Sequence, residues 1–370
     1  MNAMVFRLWS YLFLLIAGFG ILVTPLHLGA EEPLHDELKI SPRAGSEFEA
    51  AELNEIVSNI GQLNPLQSLL VSQNGSVVLE YYSAGNSAKN PVNIKSASKS
   101  IISALIGIAL DQGHLRSIEQ TVDEFFPRFL SEAPPAKQDI TIRDLLLMRS
   151  GLESTSFGNY GPWVNSRHWL RNALRRPLVN PPGKVTNYST GNSHILAGIL
   201  TKATGQDLKD YAQQHLFEPL GVNLKAWQRS PEGYRFGGNN LSLTPRGMLR
   251  FGQLYLNSGR WNGKQIIPAD WVRRSTASYV HDTYHGFPYG YFWWNVNYGT
   301  YHINFAWGHG GQYIFYAPEL NLVVITTSDL QSKPGTNGYT EKVHELVREK
   351  IVPSAAPSFD KYFWKWNGFR

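Results

Sequence analysis

Residues 96–110, SASKSIISALIGIAL, restrict the fold more than any other part of the chain. A surface helix shows one apolar stripe and a charged face. Here Ile101, Ile102, Leu105, Ile106 and Ile108 cover nearly the whole circumference. The stretch reads as a helix inside a protein, with Gly113 as its stop. A lysine in the first turn of such a helix, Lys99, is costly to bury unless something there pairs it or uses it.

Ser96 stands three residues before Lys99, so the two share a helix face with their Cβ atoms about 5–6 Å apart. The long lysine side chain can reach the hydroxyl. Unpaired N–H groups at a helix start also favour developing negative charge beside Ser96. The pair fits a serine nucleophile with a lysine partner. Spacing alone is weak evidence, because Ser-x-x-Lys recurs as Ser358-Phe359-Asp360-Lys361.

The 370 residues are 42% hydrophobic and 17% charged, enough for a large core in one or two domains and unlike a disordered chain. In residues 1–30, Arg7 precedes LWSYLFLLIAGFGILV, and Pro25 and Gly29-Ala30 lead into Glu31-Glu32. That layout predicts a secretory signal peptide cleaved after Ala30, hence a periplasmic or secreted protein. The apolar stretch approaches the roughly 20 residues of a membrane span, so the alternative is an inner-membrane anchor over 8–28. Membrane contact is expected only through this segment, and only if it is not cleaved. The absence of cysteine excludes disulfides, thiolate metal sites and a cysteine nucleophile, and in an exported chain it suits a bacterial periplasm. The net charge of +5 is scattered, with Arg175-Arg176 and Arg273-Arg274 only pairs, so no nucleic-acid partner is expected.

Residues 31–47, polar with Pro33 and Pro42, read as a linker. A helix is predicted over 48–60. Two β-rich runs in 66–82 flank Asn74-Gly75, a strong hairpin signal. From 113 to 268 the pattern is mostly helical, with helices at 122–126, 141–147 (Thr141 as N-cap), 167–176, 193–204, around His215 and at 245–256. Residues 289–296, 313–316 and 322–327 are β-rich, with a turn at 318–321; 341–351 is an amphipathic helix, and 353–370 an aromatic tail expected to pack on the body. The predicted fold class is α/β of the α+β type. An antiparallel sheet is built from N- and C-terminal parts, about 66–112 and 269–352, flanked by helices, with the helical region 113–268 inserted within a domain of 48–352.

Two further stretches stand out. Asn187-Tyr188-Ser189-Thr190-Gly191-Asn192 follows a Pro-Gly turn and precedes an apolar helix; Trp307-Gly308-His309-Gly310-Gly311-Gln312 leads into a strand. Taken in order with Ser96-Ala97-Ser98-Lys99, they resemble the three motifs of the serine β-lactamase and penicillin-binding protein superfamily, in its class C and esterase-like branch. Residues 140–146, Ser150-Gly151-Leu152, Leu243-Thr244-Pro245-Arg246, 251–256 and Pro318-Glu319-Leu320-Asn321 are similar to other family stretches, so the resemblance covers about 66–352.

The resemblance implies an acyl-enzyme on Ser96, with Lys99 and Tyr188 as general base and acid. A lysine ordinarily titrates near 10.4 and a phenol near 10, so one of them must be shifted to serve near neutral pH. It also implies an oxyanion hole from the backbone N–H groups of Ser96 and Gln312, with His309, Gly310, Gly311 and Thr190 shaping the pocket. The substrate would be a small-molecule ester, amide or peptide, hydrolysed without a cofactor or metal. Thr190 stands where many members have an asparagine amide, a role that Asn192 is placed to cover in part. His309 replaces a lysine that helps to bind the β-lactam carboxylate, and histidine is largely neutral at pH 7. Both departures favour an esterase, or an amidase similar to hydrolases of aminohexanoate oligomers. The alternatives are a class C-like β-lactamase or D-Ala-D-Ala carboxypeptidase, and a non-catalytic cell-wall-binding or sensor protein. His281 and His285 have a metal-ligand spacing but fall in a segment that reads as a loop, and no Gly-x-Ser-x-Gly elbow or phosphate-binding glycine loop occurs.

Overall fold

The computed structural model describes residues 37–41, 46–131, 133–281, 286–329, 338–358 and 361. The segment read as a signal peptide or anchor, His285 and most of the aromatic tail lie outside them. Among the described residues no helix is long and apolar enough to cross a membrane.

The centre is an antiparallel sheet. Its strands are β1 (Glu37–Ile40), β2 (Leu66–Gln73) and β3 (Ser76–Tyr82) from the N-terminal part. Two minor pairs stand apart from the sheet: β4 (Val92–Asn93), just before the Ser96 turn, with β5 (Ser242–Leu243) of the helical region, and β6 (Arg260–Trp261) with β7 (Lys264–Gln265) within that region. From the C-terminal part come β8 (Val280–His281), β9 (Pro288–Tyr289), β10 (Trp294–Tyr298), β11 (Tyr301–Gly308), β12 (Gln312–Ala317) and β13 (Leu322–Ser328). The sheet order is β1-β3-β2-β13-β12-β11-β10-β9-β8. The β2–β3 hairpin turns through Asn74 and Gly75, both left-handed at φ 49° and 76°, as a two-residue turn of the right twist requires. Pairing of β13 with β2, Leu322 opposite Gln73, joins the two ends of the chain in one sheet.

Every side chain of β12 and β13 is buried, because both faces of the sheet are covered. Successive strand residues point to opposite faces. Tyr313 and Phe315 meet His344 of the helix Tyr339–Leu346 on one face. On the other, Tyr316 meets Tyr255 of the helix Pro245–Leu256, and a Cβ on Gly252 of that helix would lie 3.0 Å from Ile314. The helix Ser98–Asp111 is buried on all sides from Ser98 to Ala109, as its apolar circumference demands.

The differences from the sequence reading have local causes. Residues 37–40, placed in a linker, form an edge strand that pairs with β3 through to Glu37 opposite Tyr82. The first helix is Ala50–Ile60, capped by Glu49 with Glu52 rather than starting at Phe48. The β-rich run 289–296 is broken into β9 and β10 by a tight turn. Gly290 N–H donates to the Trp293 carbonyl, Phe292 is left-handed at φ 64°, and Ser100 Oγ of the buried helix donates to the Phe292 carbonyl at 2.7 Å. β11, Tyr301–Gly308, was not anticipated.

Candidate active site

Ser96 does not open the buried helix. It lies in a 3-10 turn, Lys95–Ala97, that runs into the helix starting at Ser98. The turn is entered through Lys95 in the left-handed region, φ 51°, with its N–H held by Asn93 Oδ1 at 2.9 Å. A lysine in that conformation is strained, and its neighbours hold it there. β11 and β12 pack against this turn. They approach so closely that a Cβ on Gly308 would lie 2.1 Å from the Ile94 carbonyl oxygen.

Lys99 is 2% exposed. Its Nζ donates to Ser96 Oγ at 3.0 Å, to the Gly238 carbonyl at 2.9 Å and to Thr190 Oγ1 at 3.4 Å, and it sits 5.0 Å from the centre of the Tyr188 ring. All three acceptors are neutral. Among the described residues no carboxylate forms an ion pair with it, and burial pushes its pKa down to about 7. A neutral amine beside a serine hydroxyl is therefore available near neutral pH.

Tyr188 and Thr190 arrive on the segment that enters the helix Thr190–Thr204, which begins three residues before the predicted 193. The reason is a brace of hydroxyls from residues 154–156. Thr155 Oγ1 takes the Gly191 N–H at 2.7 Å, Ser156 Oγ takes the Thr190 N–H at 2.9 Å, and Ser154 Oγ donates to the Tyr188 carbonyl at 2.6 Å. Side-chain oxygens thus satisfy the first N–H groups of the helix. Ser156 Oγ also shares a hydrogen with Thr190 Oγ1 at 3.0 Å. Asn192 points away from this cluster. Its Oδ1 accepts from Ser150 Oγ at 2.9 Å, so it does not replace the amide missing at Thr190.

At the third stretch, Gly310 and Gly311 are left-handed at φ 82° and 93°, and a Cβ on Gly311 would lie 2.6 Å from the Tyr339 ring. His309 at the same turn is exposed. Gln312 is fully buried. Its side-chain amide is fixed to β13, donating to the Ser328 carbonyl at 2.9 Å, which sets where its backbone begins β12.

The structure therefore gathers Ser96, Lys99, Tyr188 and Thr190 into one cluster, with the 309–312 turn at the strand ends beside the Ser96 turn. Sequence reasoning missed the hydroxyl brace and Gly238. A Cβ on Gly238 would come within 2.9 Å of Lys99 Nζ, and the Gly237-Gly238 pair was the visible signal. Gly237 N–H donates at 3.4 Å to Nδ1 of His194, which burial among Trp163, Trp169 and Phe236 keeps neutral, its pKa pushed down to about 3. The repeat at Ser358 is unlike this site. Ser358 is exposed, and Lys361 Nζ bonds Glu52 at 2.9 Å instead. His281 is exposed, and among the described residues no cluster of potential metal ligands occurs.

The family model described as Beta-lactamase matches residues 65–347. The 6-aminohexanoate-dimer hydrolase of Paenarthrobacter ureafaciens is 22% identical over 223 residues, 57% of this chain and 57% of that protein, so this chain spans little more than half of that relative. Among solved structures, the D-amino acid amidase of Ochrobactrum anthropi has a TM-score of 0.65 at 15% identity, covering 83% of this chain and 99% of its own. The class C beta lactamase of Rhodobacter sphaeroides has a TM-score of 0.63 at 16% identity, covering 82% and 100%. At these identities the structures establish a common fold.

Proposed function

Because this chain belongs to the beta-lactamase family, we propose that it is an exported serine hydrolase that cleaves a small-molecule ester or amide through an acyl-enzyme on Ser96. The observation that carries this reading is the contact of Ser96 Oγ with a buried lysine whose other partners are all neutral. Such a lysine stabilises nothing by pairing, and it is poised to accept a proton. In the proposed cycle Ser96 Oγ attacks the substrate carbonyl carbon while its proton passes to Lys99 or Tyr188. The oxyanion is held by the backbone N–H groups of Ser96 and Gln312. The C–O or C–N bond then breaks as Tyr188 delivers the proton to the leaving group, and water hydrolyses the acyl-enzyme.

Esterase or amidase work is favoured over β-lactam hydrolysis by two residues. Thr190 offers a hydroxyl, already engaged with Ser156, where an amide would hold substrate. His309 stands in place of a fixed cation. The apolar run in 8–28 supports export to the periplasm or beyond, with membrane contact only if that segment is retained. A fluorophosphonate probe is expected to label Ser96, and Ser96→Ala to abolish both labelling and hydrolysis of nitrophenyl acetate. Hydrolysis undiminished in Ser96→Ala would sink the reading, and rapid turnover of nitrocefin would move the substrate class to β-lactams.

A further inference from the structure

Phe157 is the most exposed large hydrophobic side chain among the described residues, at 54%. A lone exposed ring needs no explanation. Phe157 has two further properties. Its backbone is left-handed, φ 53°, a conformation that bulky residues adopt only when their surroundings impose it and that clusters at functional sites. It also follows directly after Ser156, whose hydroxyl is bonded to Thr190, so its position is tied to the cluster around Lys99.

The ring of Phe157 begins a row. Its centroid lies 6.2 Å from that of Tyr188; Tyr188 is nearly parallel to Trp294 at 6.2 Å; Trp294 meets Trp307 edge-on at 5.6 Å. Trp294 is buried, whereas Tyr188 and Trp307 are half-buried. Among the described residues the one cation set against these rings is the Lys99 amine, over Tyr188. The row runs from the turn just after the hydroxyl brace, past the Lys99 amine, to the residue just before Gly308.

Resting on the hydrolase reading above, we infer that Phe157, with Tyr188, Trp294 and Trp307, forms a leaving-group subsite for an uncharged aromatic group. The side of the bond follows from the proton path. In the proposed cycle Tyr188 protonates the leaving heteroatom, so whatever that atom carries lies along the Tyr188 ring and reaches Phe157. Stacked and edge-on rings at these spacings attract a further ring beyond its burial alone.

Phenyl acetate and ethyl acetate test this directly, because both produce the same acetyl-enzyme and differ only in the leaving group. Acid release followed at constant pH gives kcat/KM for each. The phenyl-to-ethyl ratio is expected to fall about tenfold in Phe157→Ala and to be kept in Phe157→Trp. Phe157→Gly, which accepts the left-handed backbone without strain, is expected to behave as Phe157→Ala does. A ratio that stays at the wild-type value in both small variants overturns the subsite. Ligand-observed NMR of phenol reads the same surface without turnover. Saturable binding that weakens in Phe157→Ala supports the subsite, and no saturable binding overturns it. Fluorophosphonate labelling separates the two readings: an unlabelled Ser96 defeats the hydrolase, whereas a labelled Ser96 with an unchanged ratio defeats the subsite alone.

Discussion

Lys99 and Glu80 are buried to almost the same degree, 2% and 3% exposed, and they are kept on opposite terms. Glu80, on β3, receives two parallel hydrogen bonds from Arg246, Nε and Nη2 each at 2.7 Å, and a third from the Tyr82 hydroxyl. Burial alone would raise its pKa, but the Arg246 and Tyr82 bonds outweigh it and hold the carboxylate below its ordinary range. Lys99 has no counter-ion among the described residues, and burial moves it down to about 7. One charge is fixed across the working pH range, and the other is free to change. The difference teaches which buried charge is architecture and which is chemistry: the fold invests a matched partner in the first and withholds one from the second.

The widest separation between the two is expected from removing each charge. Lys99→Met should lower ester turnover about a thousandfold, the usual scale of a lost general base, while the melting temperature at pH 7 holds or rises. Retained turnover would place Lys99 with Glu80 as architecture. Glu80→Gln should do the reverse, costing about 2 kcal/mol in urea denaturation, reduced from a fully buried pair because Arg246 is half exposed, with kcat/KM within about twofold of wild type.

pH sharpens the contrast. The ester kcat/KM is expected to rise through about pH 7 as Lys99 loses its proton. Stability should move with it in sign. Between about 7 and the ordinary lysine value near 10.4 the unfolded chain binds more protons than the folded one, so the cost of burying Lys99, fully present below 7, is relieved as pH rises. Lys99→Met should flatten that rise in a melting-temperature series. Glu80 acts at the other end: its contribution is complete above its unfolded value near 4.5 and is lost as pH falls through its depressed folded pKa. The smallest effect is expected from Thr190→Val, which removes one of the three acceptors around the amine. Turnover should fall about threefold, with the midpoint of the rate profile moved to lower pH because the charged form loses a hydrogen bond. A midpoint moved upward would mean that the hydroxyl serves the neutral amine instead.

Of these two regions only one was legible beforehand. Ser96 and Lys99 are three residues apart, and helix periodicity places them together from the sequence alone. The Tyr188 and His309 stretches were found through their order along the chain. Glu80 and Arg246 are 166 residues apart in sequence and meet only because the helix Pro245–Leu256 packs across the sheet at β2, the strand beside β3. The hydroxyl brace escaped for the same reason. Ser154, Thr155 and Ser156 read as an ordinary polar loop until the helix start at Thr190, 34 residues on from Ser156, is laid against them. β1 was lost because four residues, ELKI, between prolines carry too little pattern to distinguish an edge strand from a linker. The break in YFWWNV depends on Ser100 of a distant helix.

The missing side chain at Gly308 has a mechanical consequence. A methyl group there would stand 2.1 Å from the Ile94 carbonyl oxygen, far inside the 3.4 Å at which ordinary contact begins. The joint between the sheet and the turn that carries Ser96 has no clearance, and both parts are backed by packed core, so neither can recoil locally. Alanine at this position would act as a shim. It would widen the gap between the serine and the start of β12 while leaving every reacting group chemically intact, so the fault would lie in a dimension alone.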